Sequence, residues 1–115
     1  MGKDFFRSGQ YKLAENEFQK ALLLDPENAE TYKDLALLNY NQGKLQEAYE
    51  YSKKAIALNK SLKEAYIVLA SLYSKKGRTD DAMRTLRTIS EISGKRDAVD
   101  ELAEKMMASL ASTMY

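Results

Sequence analysis

Glycine spacing constrains this chain more than any other feature. Gly9, Gly43 and Gly77 stand 34 and again 34 residues apart, and the words around them align: SGQYKLAENEFQKALLLDP, QGKLQEAYEYSKKAIALNK and KGRTDDAMRTLRTISEISG. Five residues after each Gly stands an Ala (Ala14, Ala48, Ala82), and twelve after each stands a small or β-branched apolar residue (Ala21, Ala55, Ile89). Upstream, AETYKDLALLNYNQG aligns with KEAYIVLASLYSKKG, so Tyr32, Leu35 and Ala36 fall on Tyr66, Leu69 and Ala70. A fixed period of this length marks an array of supersecondary units that bury their apolar faces only by stacking.

Each unit reads as two helices joined at a Gly corner. Gly tolerates positive φ, so it ends one helix cheaply and opens a tight turn into the next. Tyr32, Leu35, Ala36 and Asn39 form one stripe at i, i+3, i+4, i+7, and Tyr66, Leu69, Ala70 and Tyr73 repeat it. Ala14, Ala48 and Ala82 sit one turn into the second helix of each pair, where small side chains allow close helix approach. Asn28 is the expected N-cap of the helix that follows Pro26. One Pro, five Gly and no Ser- or Gly-rich tract leave no room for a flexible linker. Ala, Leu, Lys, Glu and Met are plentiful, and short alternating runs bounded by turns are absent.

A 34-residue unit of this pattern, aromatic-x2-Leu-small-x2-Tyr, then Ala-x3-aromatic, then Pro, resembles the tetratricopeptide repeat. Residues 29–62 and 63–96 form the second and third units. Residues 1–28 resemble a truncated first unit, with Gly2 and Phe5 at the end of its first helix and Ala14, Phe18 and Pro26 in the rest. Residues 97–112 form a further amphipathic helix with a stripe of Val99, Leu102, Ala103, Met106 and Leu110, expected to cap the last unit. The expected fold is all-α, a solenoid or α-α superhelix of stacked antiparallel helix pairs, with about two and a half units plus a C-terminal capping helix. It is expected to be one domain over residues 1–112, with 113–115 as a frayed tail. The pattern is broken locally: Ser52 stands where Phe18 does, with Tyr49 or Tyr51 to fill the gap. Asn39 stands where Tyr73 does, Lys60 and Gly94 replace Pro26, and Thr79 replaces Tyr11.

Composition removes whole classes of function. The chain has no Cys and no His, so disulfides, thiolate or imidazole metal sites and Cys-His or Ser-His-Asp catalysis are excluded within it. Asp80-Asp81, Glu15 and Glu17 read as solvated helix faces, and Lys53-Lys54 and Lys75-Lys76 as solubility charge. Each Gly stands alone, so no phosphate-cradling loop exists, and no cofactor is expected. The 18 basic and 17 acidic residues nearly cancel, which leaves no electrostatic case for nucleic acid. No apolar run approaches the ~20 residues that span a bilayer, so no direct membrane insertion is expected. Phe6 stands where a myristoylation pattern wants Ser or Thr. Absence of Cys suits reducing and oxidising compartments alike, so localisation is left open.

Function is therefore expected on the inner surface. In stacked helix pairs the first helices line the concave side, and residues turned away from the core stripe face the groove. These are Lys33, Leu37, Tyr40 and Asn41 in the second unit, and Ile67, Val68, Ser71, Ser74 and Lys75 in the third. Phe6 and Arg7 join them from the first. An apolar groove with a basic rim suits an amphipathic helix or an extended peptide with acidic flanks. The resemblance implies a non-catalytic scaffold with a protein or peptide partner, as part of a larger adaptor or assembly protein. It does not extend to the subset that grips chaperone C-termini: Lys33 matches one clamp Lys, but Leu37 and Val68 occupy the Asn positions. Phe5, Phe6, Phe18, Leu22 and Leu23 have little cover in the truncated first unit. That implies either a longer array, the favoured expectation, or a homodimer joined at that end.

Overall fold

A computed structural model describes residues 10–92 and 94–113, so the expectations on Gly2, Phe5, Phe6, Arg7, Gly9, Met114 and Tyr115 lie outside the described residues. Six helices occupy the described residues, with no strand: α1 (Gln10–Leu24), α2 (Ala29–Asn41), α3 (Leu45–Leu58), α4 (Lys63–Lys75), α5 (Thr79–Glu91) and α6 (Ala98–Thr113). None is long and apolar enough to cross a membrane.

The corners are built as the glycine spacing requires. Gly43 and Gly77 follow α2 and α4 with φ of 78° and 75°, in the left-handed region. Around Gly43, the Lys44 N–H donates to the Asn39 carbonyl (2.9 Å) and the Gly43 N–H to Tyr40 (3.0 Å). Around Gly77, Arg78 donates to Tyr73 (2.9 Å) and Gly77 to Ser74 (3.0 Å). This paired pattern is a Schellman cap, which satisfies the orphan carbonyls at a helix end. Asn28 caps α2 as expected, its Oδ1 accepting from the Thr31 N–H at 3.1 Å.

A second hydrogen bond also recurs at the repeat interval. The Tyr32 hydroxyl donates to the Pro26 carbonyl (3.2 Å), and the Tyr66 hydroxyl to the Lys60 carbonyl (2.8 Å). The turn uses a main-chain carbonyl, so Lys60 serves where Pro26 stood.

The core passes from unit to unit as linked clusters. Ala14, Leu35 and Leu38 join α1 to α2; Ala36, Ala48, Val68 and Leu72 join α2, α3 and α4; Ala70, Leu86, Ile89 and Ala103 join α4, α5 and α6. Ala14, Ala48 and Ala82 are fully buried at the crossings. The irregular positions are satisfied. The Asn39 side-chain amide donates to the Leu35 carbonyl at 2.8 Å, and Ser52 Oγ donates to the Tyr49 carbonyl at 2.9 Å. Tyr51 packs back against the α1–α2 cluster, while Tyr49 meets Tyr73 edge to face, with ring centroids 6.1 Å apart.

Neighbouring helices pack in the order of the chain, and α2 also approaches α4, and α4 approaches α6. The backbones of α1, α3 and α5 stay apart from one another, linked by side chains such as Gln19, which donates to the Tyr51 hydroxyl at 3.4 Å. The array therefore curls with α2, α4 and α6 on its inner side. There α6 is held by a buried ion pair: Lys63 Nζ of α4 lies 2.9 Å from Asp100 Oδ2 and 3.7 Å from Asp97 Oδ2. Asp100 also accepts from the Asp97 N–H at 2.8 Å, and Arg96 forks onto Glu104.

Candidate functional site

The inner surface carries an apolar pocket of about 220 Å3, where α2, α4 and α6 converge. Leu37 comes from α2, Ile67 and Val68 from α4, and Val99 and Leu102 from α6, with Lys33 and Glu64 at the edge. Four residues expected to line a groove, Lys33, Leu37, Ile67 and Val68, thus share one pocket. Their roles differ. Leu37 is 39% exposed and projects into it, whereas Val68 is 6% exposed and belongs to the core cluster of Ala36, Ala48 and Leu72. Val68 is the floor. Ile67 packs partly against the α4–α6 cluster.

The other expected residues of α2 and α4 do not line this pocket. Tyr40 is half-buried against the α2–α4 cluster, and Lys75 holds its ammonium 5.4 Å above the Tyr40 ring. Ser71 Oγ donates to the Ile67 carbonyl at 2.9 Å, so its proton is engaged within the helix. Asn41 and Ser74 are exposed beyond Tyr40.

Leu102 is the main correction. Its place in the stripe of α6 predicted burial, yet it is 45% exposed and faces the groove. Its neighbours Val99, Ala103, Met106 and Leu110 do pack inward. The missed signal was the period itself, since 34 residues beyond Val68 the register reaches Leu102. Helix α6 therefore occupies the place of another first helix and supplies the third wall.

The electrostatics of the rim are mixed rather than basic. Lys33 Nζ lies 3.0 Å from Asp34 Oδ1, and Glu64 shares the pocket edge. At the far end of α4, Lys75 has no acidic partner among the described residues. Behind the site, the Lys63–Asp100 pair shifts both partners in the direction of charge. Hydrogen bonding to Lys63 holds the Asp100 carboxyl below its usual range, and hydrogen bonding to Asp100 holds the Lys63 ammonium above its own. This pair positions Val99 and Leu102, its sequence neighbours, against α4. Among the described residues no group of three or more acidic side chains is arranged to hold a metal ion.

Comparison with known proteins gives a consistent picture. A family model described as "Tetratricopeptide repeat" matches residues 39–106, and one described as "TPR repeat" matches residues 2–43. The UDP-N-acetylglucosamine–peptide N-acetylglucosaminyltransferase of Caenorhabditis elegans is 35% identical over 77 residues, 67% of this chain and 7% of that protein. This chain spans 7 to 20% of the length of the curated relatives it matches. Among solved structures, the first TPR of Spaghetti (RPAP3) bound to the HSP90 peptide SRMEEVD superposes with a TM-score of 0.81 at 19% identity, covering 98% of this chain and 89% of that one. The Yersinia enterocolitica type III secretion chaperone SycD, in complex with a peptide of the translocator YopD, superposes with a TM-score of 0.81 at 17% identity, covering 97% and 88%.

Proposed function

The chain belongs to the tetratricopeptide repeat family, and on that premise we propose that it is a non-catalytic scaffold that holds a partner peptide or helix on its inner surface. The observation that carries this reading is the convergence of two half-exposed leucines, Leu37 and Leu102, from different helices onto one apolar pocket. Large apolar side chains in that state are what a ligand can still cover. The pocket accepts one bulky apolar side chain of the partner, and the groove continues past Tyr40, Asn41, Ser74 and Lys75. Lys75 favours an acidic group at that end, and Glu64 disfavours one at the other. Two structural neighbours were solved with peptides bound, which supports a peptide as the occupant. Leu37 and Val68 offer no polar group to a terminal carboxylate, which argues against a chaperone-tail clamp.

The test is selection from a random peptide library displayed on phage, followed by binding of the enriched peptides to Leu37→Glu and Leu102→Glu proteins. Both positions are exposed, so the fold should survive, whereas a charge at Val68 would break the core. Enriched peptides should share a bulky apolar residue and lose binding to both variants. Equal binding by folded variants would remove the groove from the account.

A second reading, self-association through the first unit, rests on Leu13, Leu23 and Leu24 of α1. Leu23 and Leu24 are 85% and 89% exposed, whereas Phe18 and Leu22 pack into the α1–α2 cluster. Light scattering at ~100 µM, a range that reveals weak dimers, decides it: a monomer there would discard this reading.

A further inference from the structure

A second cavity, of about 250 Å3, opens on the other side of the array, where α3 and α5 stand apart over α4. Its floor is apolar and aromatic, with Leu69 and the rings of Tyr66 and Tyr73, and its walls carry Lys53, Asp81 and Arg84. It lies just below the ~300 Å3 lower bound of pockets that take drug-sized molecules, so it suits one ring with its substituent.

Charge at this cavity is unbalanced. Lys53, Arg84 and a single carboxylate, Asp81, line it, and Arg78 and Lys76 stand nearby over the rings of Tyr73 and Tyr49. Arg78 lies 2.7 Å from Asp81 Oδ2 and Arg84 3.2 Å from Asp81 Oδ1, so one acid serves two guanidinium groups. Lys53 and Lys76 have no acidic partner among the described residues. Both sit over the ring of Tyr49, at 5.9 Å and 5.8 Å, and Arg78 lies 5.0 Å from the centre of the Tyr73 ring. A ring face orients a cation without cancelling its charge or occupying its N–H donors. Exposed Glu50 is bonded to Gln46, and exposed Asp80 pairs with none of these cations. The whole chain carries a net charge of only +1, so the excess is local. Burial raises the pKa of Tyr66, and burial together with Tyr49 raises that of Tyr73, so the floor stays neutral at physiological pH.

We propose that this crevice binds an aromatic ring that carries a phosphate group, with the ring against Tyr73 and Leu69 and the phosphate between Lys53 and Arg84. Arg84 can turn from Asp81 to the phosphate because Arg78 keeps that carboxylate paired, and a guanidinium–phosphate fork is among the stronger charge-assisted hydrogen bonds. A phosphorylated tyrosine has this chemistry, and a nucleotide offers an aromatic base and a phosphate held apart by a ribose. The site is independent of the inner groove.

The proposal is tested by following backbone amides of the whole chain by NMR during titration with N-acetyl-phosphotyrosine amide and, separately, with adenosine monophosphate. Unphosphorylated N-acetyl-tyrosine amide and inorganic phosphate serve as comparisons. Phosphotyrosine amide should give saturating shifts at Lys53, Tyr73, Arg84 and Thr85, and the two comparison compounds should not saturate. A K53Q/R84Q protein, altered only at exposed side chains, should bind at least tenfold more weakly, while Leu37→Glu should bind normally. Saturation by adenosine monophosphate alone supports the site and assigns the ring to a nucleotide. Failure of both phosphorylated rings to saturate, or unchanged affinity in the double variant, overturns the proposal.

Discussion

Two leucines of the same chemistry separate core from groove, and truncating each gives the sharpest check on the site. Leu72 is 1% exposed and clusters with Ala36, Ala48 and Val68, where the second and third units meet. Leu72→Ala loses the transfer free energy of the side chain and leaves a cavity, together about 2–5 kcal/mol. Leu37 is 39% exposed, so its folded state realises only about three-fifths of the 1.5–3 kcal/mol that full burial of a Leu supplies. Solvent fills the space it vacates, so Leu37→Ala costs about 1–2 kcal/mol at most. At roughly 4 °C per kcal/mol for a chain of this length, the melting temperature should fall by about 8–20 °C for Leu72→Ala and by under about 8 °C for Leu37→Ala. Binding should show the complement. The exposed part of Leu37 is what a ligand covers, worth about 0.6–1.2 kcal/mol, or roughly three- to sevenfold in Kd for library-selected peptides. Thermal melts followed by circular dichroism and calorimetric titrations measure both quantities. If Leu37→Ala lowers the melting temperature as far as Leu72→Ala and leaves Kd unchanged, Leu37 is a core residue and the pocket has lost its anchor.

Other consequences can be measured on the same protein. Gly43→Ala and Gly77→Ala should each cost about 1–2 kcal/mol, visible in urea titrations, because φ is positive at both while a Cβ would meet nothing within 4 Å; no loss at either site would mean that the corners are not held in that conformation. Asn28→Ala should destabilise by about 1 kcal/mol through loss of the cap on Thr31, and Asn28→Asp should retain most of it. The docking of α6 should weaken at both extremes of pH. Asp100 has a lowered pKa when folded, so its contribution is present above the ordinary carboxyl pKa of about 4 and is lost as pH falls through the folded value. Lys63 has a raised one, so its contribution is present below about 10.4 and is lost as pH rises through the folded value. Hydrogen exchange of α6 against pH reads this, and a Lys63→Met/Asp100→Leu protein should show a flatter profile; an identical profile would exonerate the pair.

The period of the glycines and the two helical stripes were enough to place the corners at Gly43 and Gly77, because positive φ and one-sided burial are local demands that each unit repeats. Asn28 as a cap and Leu37 as an outward leucine were legible for the same reason. What the linear pattern could not resolve was which outward position stays outward once neighbours arrive. Val68 and Leu102 occupy the same phase, yet Val68 is covered by α2 and α3 while Leu102 stays 45% exposed at the mouth of the pocket. Nor does spacing show that Lys33 is engaged by Asp34, that Lys63 meets Asp100 across 37 residues, or that Lys53 and Lys76 share one tyrosine ring. Backbone conformation follows from interactions a few residues apart, so it is written along the chain. Pockets and charge pairs depend on how helices from different units lean together, and only the folded array sets that.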